Sequence, residues 1–360
     1  IVLHFKINIV VKIGIHKREG SYSDFWIEYC EKKGICYQIL NAYDNNIVDQ
    51  LSDCDAFMWH YHHGSNKDKL FAKQLLFSLE SIGLIVFPNF KTGWHFDDKV
   101  GQKYLFEAYG IKCAKTYVFY DKKEALAWVN STVFPKVFKL RSGAGASHVY
   151  LIKSWREAIK FINKAFGCGF KAFSGWNYFK NAVKLYCSKT LSLPGVIKGF
   201  GRVFIVPHSI KNLPRESQYV YFQEFIPNDG YDFRLEIVGD KAIAMVRFVR
   251  KNDFRASGGH MDYFNHELIT KEVINFGFEI ADKLGTQSCA LDIVRHKETK
   301  ELFLIEISYC YGVDQDEFNH GYWDRDGILH LEKFNGLEWM VDEVIESVNK
   351  KQDNLKSQSI

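Results

Sequence analysis

The sequence predicts an α/β amino-terminal unit followed by α+β units built on antiparallel strands, and three observations carry that expectation. Residues 8–90 alternate short apolar runs with amphipathic stretches in a β-α-β-α-β-α-β order. Such an order implies a parallel sheet with helices on both faces. Residues 134–154 set two apolar runs on either side of a Gly-rich turn, the pattern of a hairpin. Residues 219–308 hold apolar, strand-like runs with a hairpin turn at Gly239-Asp240, interrupted by one helical stretch before the last two runs. At 360 residues the chain is longer than one core usually serves, so two or three domains are expected.

Taken in order, "NIVVKIGIH" reads as a buried strand and "YSDFWIEYCEKKG" as an amphipathic helix ending at Gly34. "CYQILNA" is a strand, "NNIVDQLSDCD" a short helix or loop, "DAFMWHYH" a strand, "KDKLFAKQLLFSLESIG" a helix closed by Gly83, and "LIVFPN" a strand. Ligands of such sheets sit at the carboxyl ends of strands, which brings Gly20 to Ser23 and His60 to His63 near a candidate site. "DDKVGQKYLFEAYG" is a helix with Asp97 or Asp98 near its cap and Gly110 past its end. "KTYVFY" is a strand and "KKEALAWVN" a helix; "PKVFKL", the Gly loop, "HVYLI" and the helix "SWREAIKFINKAFG" follow. Residues 167–218 carry Gly, Lys and aromatics with weak periodicity and read as an insertion. "YVYFQEFI", "FRLEIVG" and "KAIAMVRFVR" are strands, "KEVINFGFEIADKLG" a helix, and "SCALDIVRH" and "ELFLIEISY" strands. "FNGLEWMVDEVIESVNKK" is a last amphipathic helix, and the polar tail beyond it is expected to fray.

Hydrophobic residues make up 47% of the chain, charged residues 25%, and the formal charge is +4. That balance, with no Lys/Arg block, argues against a nucleic-acid partner. The aromatic share of 16% is read first as core volume. The eight cysteines are scattered without a CxxC pair and no signal peptide is recognised, so reduced thiols in a cytoplasmic protein are expected. The stretch "IVLHFKINIVVKIGI" is too short and, with His4, Lys6 and Lys12, too charged to span a bilayer, so no membrane partner is expected. "WHYHHG" reads as strand, where neighbouring histidines point to opposite faces, which disfavours a metal cage.

In "FPKVFKLRSGAGASHVYLI" the glycines fit neither the GxxxxGK[ST] of a Walker loop nor the GxGxxG of a dinucleotide fold, and a strand follows them. They form a hairpin tip whose free N–H groups can close over a ligand. Lys139 on the incoming strand would suit a triphosphate under such a lid; taken alone, the loop is read more simply as a plain hairpin with a surface lysine. "VYFQEFIPNDGYDFRLEIVG" puts Glu224 at the end of an apolar strand, ahead of Asp229 and Asp232, as acceptors for an adenine amino group and ribose hydroxyls. Arg247, Arg250 and Arg255 lie close in sequence and suit phosphoryl oxygens. Asp292, Glu306 and Ser308 fall on neighbouring strands, with Glu306 and Ser308 on one face. Carboxylates so placed are costly unless they hold cations, and hard oxygens suit Mg²⁺ beside a nucleotide.

In their order and spacing, "DDKVGQKYLFEAYGIKCAKTYVF", "FPKVFKLRSGAGASHVYLI", "QEFIPNDGYDFRLEIVGD", "FVRKNDFRASGG" and "LDIV…LIEIS" resemble the ATP-grasp superfamily, especially its branch similar to ribosomal-protein S6 and glutathione-type ligases. The segment "GYWDRDGILH…KFNGLEWMV" resembles ATP-grasp proteins found among surface-polysaccharide genes. The resemblance implies a pre-grasp Rossmann-like domain followed by a two-subdomain ATP-grasp fold. The pre-grasp domain would occupy 1–95. The small subdomain would occupy 96–222, with a lid hairpin and the insertion around 167–218. The large subdomain with the metal site would occupy 223–350, and a flexible tail 351–360. The resemblance further implies that Lys99 and Lys139 touch ATP phosphates and that Ser142, Gly143, Ala144 and Gly145, on to Ser147, form the lid. Glu224 with the backbone of Phe225 and Ile226 would take the adenine and Asp232 the ribose. Arg247 would face phosphate, and Arg255 would steady an acyl phosphate and its transition state. Arg234 would contact substrate or pair with Glu236 or a ligating carboxylate. Asp292, Glu306 and Ser308 would hold two Mg²⁺ ions.

One departure stands out: the usual third ligand of the pattern is Asn, and here it is Ser308, a shorter oxygen ligand beside which a water can complete the shell. The activity implied is that of an ATP-dependent carboxylate–amine ligase working through an acyl phosphate. Its partners would be a small-molecule acid and an amine, with a uronic acid one candidate. Polar and aromatic loops near Ser21, His60 to His63 and Trp94-His95 would shape the acceptor pocket. A nucleotide-binding protein without ligase activity and a small-molecule kinase are the rival readings. A dehydrogenase is disfavoured because "GIHKREGSYSD" lacks GxGxxG. The oligomeric state is open, a homodimer included.

Overall fold

The computed structural model describes residues 10–143, 148–171, 175–187, 192–204, 215–249, 253–256, 262–264 and 266–358. Ala144, Gly145, Ala146 and Ser147 of the expected lid tip, and Arg250, lie outside them.

The first sheet is built from β1 (Lys12–His16), α1 (Tyr22–Lys33), β2 (Cys36–Leu40), α2 (Ile47–Gln50), β3 (Ala56–Met58), α3 (Asn66–Ser81) and β4 (Ile85–Phe87). Its strands run parallel in the order β2-β1-β3-β4. Side chains alternate across it. Ile13, Ile15, Ala56 and Met58 enter one core with Trp26, while Phe57 enters another with Ala72 and Leu76. The helices start and stop where the sequence places caps. Ser21 caps α1, Gly34 ends it at φ 67°, and Gly83 follows α3 at φ 90°. β3 ends at Met58, so His60, His62 and His63 lie in the loop beyond it. The expectation that they alternate along a strand is corrected: loop backbone has no period of two, and all three line one cavity.

A connecting stretch, α4 (Phe90–Gly93) and α5 (Lys99–Ala108), leads to the second sheet. Asp98 caps α5, its Oδ1 accepting from Gly101 N at 2.9 Å. The second sheet holds β5 (Thr116–Phe119), α6 (Lys122–Val129), β6 (Lys136–Lys139), β7 (Val149–Ile152), α7 (Trp155–Ala165), α8 (Gly175–Cys187), α9 (Leu193–Phe204) and β8 (Val220–Glu224). The strands are antiparallel in the order β5-β8-β6-β7, so the Gly-rich segment does join two paired strands. α6 and α7 bury Ala125, Val129, Ala158 and Ile162 against Phe138 and Phe222. The insertion contains the helix pair α8 and α9, which the sequence hides. Gly195, Gly199 and Gly201 weaken the helix signal of α9, yet Gly199 is what lets it approach α8, since a Cβ there would lie 2.9 Å from Ala182 Cβ.

The third sheet comprises β9 (Tyr231–Val238), β10 (Lys241–Phe248), β11 (Asp262–Tyr263), α10 (Lys271–Leu284), β12 (Ser288–Arg295), β13 (Leu302–Ser308), β14 (Tyr322–Asp324) and β15 (Leu329–His330). The order is β13-β12-β9-β10-β14-β15, with β11 beside β10. Phe233, Leu235, Ile237, Leu291 and Ile293 point into a core covered by α10. Gly277 lets that helix lie close, because a Cβ there would sit 2.5 Å from Leu235 Cδ2. The alternate residues Asp232, Arg234 and Glu236 therefore face the other way.

The last helix, α11 (Gly336–Gln358), returns to the first sheet. Leu337, Met340, Val341, Val344 and Val348 pack with Ile13, Ile15 and Trp26. The expectation of a frayed tail after 350 is corrected: the helix runs to Gln358, and Lys351 Nζ donates to the Gly83 carbonyl. Among the described residues no helix is long and apolar enough to cross a membrane. None of the seven cysteines with described side chains is in a disulfide.

Candidate functional site

A cavity of about 1310 Å³ is lined from all three sheets. The second sheet contributes Lys139 and Glu224, the third Asp232, Arg234, Arg247, Asp292 and Glu306, and the loops after β1 and β3 contribute Ser21 and His60. Lys99, Gly143, Phe225, Ile226, Arg255 and Ser308 also line it. Residues chosen from segments far apart in the chain thus meet at one cavity. Ser142 instead turns to Glu216, with Oγ donating to Oε1 at 2.6 Å. His95 is fully buried and Trp94 packs against the third sheet's core, so neither shapes the pocket as expected. Both follow the short helix α4, which turns them inward.

Asp292 and Glu306 face each other across β12 and β13, beside a bulge. Lys99 Nζ lies 2.8 Å from Glu306 Oε1 and donates to the Gly143 carbonyl at 2.9 Å. Burial pushes the Lys99 ammonium down, but Glu306, helped by Asp97 and Asp292, holds it above its ordinary value. Lys139 is equally buried and has no ion pair among the described residues. Burial, opposed by Glu306 and reinforced by Lys99, pushes it down to about 8.

The arginines of the third sheet are committed to carboxylates. Arg247 forks onto Asp232, with Nε and Nη2 each 2.8 Å from an oxygen, and its Nη2 also reaches Asp292 at 2.9 Å. Arg234 donates to Asp292 from Nε at 3.0 Å and from Nη2 at 2.8 Å. Burial pushes the Asp292 carboxyl up, but the two guanidiniums beside it prevail and hold it at about 2. Arg247, though it lines the cavity, is thus committed to two carboxylates, and Asp232 is paired with it. Arg255 forks onto Asp253, at 2.9 and 2.7 Å.

Glu224 is gripped by Lys136 Nζ, 2.7 Å from each oxygen, and by Tyr117 Oη at 3.0 Å. Sequence reasoning missed Lys136, although the β6–β8 register sets it opposite Glu224. It also missed Asp97, whose Oδ1 accepts from Gly143 N at 2.8 Å and anchors the start of the Gly-rich turn. Glu236 was noticed only as a partner for Arg234. An isolated carboxylate in "RLEIV" carries the same signal that picks out Glu306.

Asp292 and Glu306 offer hard oxygens, and Ser308 Oγ donates to the Cys310 carbonyl at 2.7 Å while lining the cavity. Among the described residues no group of three or more His, Cys, Asp or Glu converges to hold a metal. Two carboxylates are nonetheless what Mg²⁺ takes when substrate phosphates and waters complete its shell. The donor set fits that ion.

The sequence matches no family model and no curated protein. Its structure is similar to several solved ones. An ATP-grasp RimK domain protein from Sphaerobacter thermophilus superposes with a TM-score of 0.54 at 13% identity, covering 93% of this chain and 100% of that one. N5-carboxyaminoimidazole ribonucleotide synthetase from Thermotoga maritima gives 0.53 at 14%, covering 93% and 76%. D-alanine–D-alanine ligase from Bacillus anthracis, solved with ATP, gives 0.51 at 13%, covering 96% and 99%. Three sheets in this arrangement, matched over nine-tenths of the chain, are the ATP-grasp fold.

Proposed function

We propose that the chain is an ATP-dependent carboxylate–amine ligase that activates its acid as an acyl phosphate. The observation that carries this reading is the meeting of Lys99, Lys139, Asp292 and Glu306 in one cavity, with Lys99 in contact with Glu306. Fixed positive charge beside hard oxygen ligands is what a metal–polyphosphate requires. Ligases among the proteins sharing the fold support the same reaction class.

In this reading Lys99 and Lys139 hold phosphoryl oxygens, Glu224 with Phe225 and Ile226 receives the adenine, and Arg255 steadies the acyl phosphate. Arg234 and Arg247 position Asp292. Mg²⁺ held by Asp292, Glu306 and Ser308 would neutralise charge on the transferring phosphoryl group. The acid's carboxylate oxygen attacks the γ-phosphorus, the bond to the β-phosphate oxygen breaks, and ADP leaves. The amine nitrogen then attacks the acyl carbon, phosphate departs with its oxygen, and the amine loses a proton. Asp97 and Lys99 tie Gly143 to the cavity.

The test is ADP release with Mg²⁺ against pooled carboxylates and amines, sugar acids and amino acids first. Release that needs both an acid and an amine is the expected result; release unaffected by either counts against the ligase. A second reading, nucleotide binding without turnover, is favoured by the Ser308 hydroxyl being engaged by Cys310; it predicts MgATP binding with no release in any pool.

Lys139 yields a pH prediction. With its ammonium down at about 8, it is charged below that pH and neutral above it. Affinity for MgATP is expected to fall as pH rises from 7 to 9, and binding near pH 8 to take up a proton, because the anion restores the lysine's charge. Lys139→Arg should flatten the profile. Calorimetry in buffers of different ionisation enthalpy reads both, and a flat wild-type profile would remove Lys139 from the phosphate site.

A further inference from the structure

Two acids lining the cavity are left unexplained by nucleotide or metal. Glu236 follows Asp232 and Arg234 along the same face of β9, about 13 Å beyond Asp232 at the rise of an extended strand. It is 1% exposed, and neither carboxyl oxygen receives a hydrogen bond from any described residue except Glu317. Glu317, in the 3₁₀ turn Gln315–Asn319, is 7% exposed. Its Oε1 accepts from Asp314 N at 3.0 Å, while its Oε2 is buried with no partner outside the pair. Both residues line the cavity, as do Tyr22 and Tyr311. Arg234, the nearest cation along the strand, spends Nε and Nη2 on Asp292.

Burying a carboxylate without a donor is strongly unfavourable, and two facing each other repel. Burial, and then Glu317 through its charge and a hydrogen bond between the two carboxyls, push the Glu236 carboxyl well up; burial pushes Glu317 up to about 7, against its bonds from Asp314 and Glu236. The pair thus stores a demand for positive charge and for donors. Three acceptor atoms find no donor outside the pair itself, and a primary ammonium has three N–H donors on one compact charge. A divalent ion suits the pair less well, since no third acid, His or Cys among the described residues joins these two as ligand.

We propose that Glu236 and Glu317 form the subsite that binds the protonated amino group of the acceptor, so that the second substrate is a primary amine. The inference rests on the ligase reading for naming the cation as acceptor; the subsite itself rests on the geometry of the pair. It explains why two acids are kept in a wall that Leu or Gln would fill more stably.

The experiment uses the full chain at constant ionic strength, titrated with methylamine, propylamine, 1,4-diaminobutane and glycinamide hydrochlorides. Tetramethylammonium chloride serves as the control with charge but no N–H. Binding is read by saturation-transfer NMR and by thermal shift. At least one primary amine is expected to bind and tetramethylammonium not to. Glu236→Gln and Glu317→Gln are each expected to weaken that binding at least about tenfold. MgATP affinity, measured on the same preparations, reports whether each variant has folded. Equal amine affinity in both folded variants, equal binding of tetramethylammonium, or no binding by any amine overturns the subsite. If MgATP binds and amines ignore the pair, the inference falls and the ligase reading stands. If amines need the pair and no nucleotide binds, the reverse holds.

Discussion

Glu306→Gln is expected to lower Mg²⁺-dependent ADP release at least about 10²-fold, the effect of losing roughly 3 kcal/mol of charge stabilisation at the transferring phosphoryl group. The substitution keeps size and shape and removes one charge. Glu306 stands opposite Asp292 on the adjacent strand and is the ion-pair partner of buried Lys99. The amide would coordinate a hard cation weakly and leave Lys99 without its counter-charge, so that ammonium would drop from its raised value. The side chain of Glu306 is 30% exposed, so the fold should tolerate the change. Comparing release with and without each substrate pool checks the prediction. Undiminished release in a variant with native melting behaviour would place the metal elsewhere.

Arg247→Met is expected to destabilise the protein by about 3–5 kcal/mol, the usual consequence of stripping the counter-charge from buried carboxylates. Arg247 is 4% exposed and serves both Asp232 and Asp292. Removing it leaves Arg234 alone to neutralise two acids. Adding Asp232→Asn should recover part of the loss, and urea denaturation of the single and double variants measures the coupling. The pH dependence has a definite sign. Asp292, held at about 2 against an ordinary 3.8, contributes stability that is present above the ordinary value and lost as pH falls toward 2. In Arg247→Met that contribution shrinks, so the gap between variant and wild type should be widest near neutrality and narrow in acid. A gap that does not change with pH would mean that Arg247 stabilises by packing alone.

Much of the frame was legible because it rests on local rules. The apolar and amphipathic alternation of residues 12–87 became a parallel sheet, and Gly34 and Gly83 ended helices where only a left-handed residue closes the turn comfortably. The helices of the insertion were not legible, since glycines inside α9 blur the period that marks a helix. The histidines after β3 were misjudged because a strand's period was extended one turn too far.

The site divides in the same way. An isolated charge inside an apolar run, such as Glu306 in "LFLIEI", marks itself, because burial of a charge demands a reason. What each charge does with its neighbours is a matter of strand register and of surfaces that meet across hundreds of residues. Only the folded chain put Arg247 between Asp232 and Asp292, Lys136 under Glu224, and Glu317 beside Glu236. The sequence by itself determined which residues are costly to bury. The tertiary structure alone decided which opposite charges offset that cost and which were left unpaired, because Coulomb and hydrogen-bond energies depend on separations of a few ångströms that no spacing along the chain encodes.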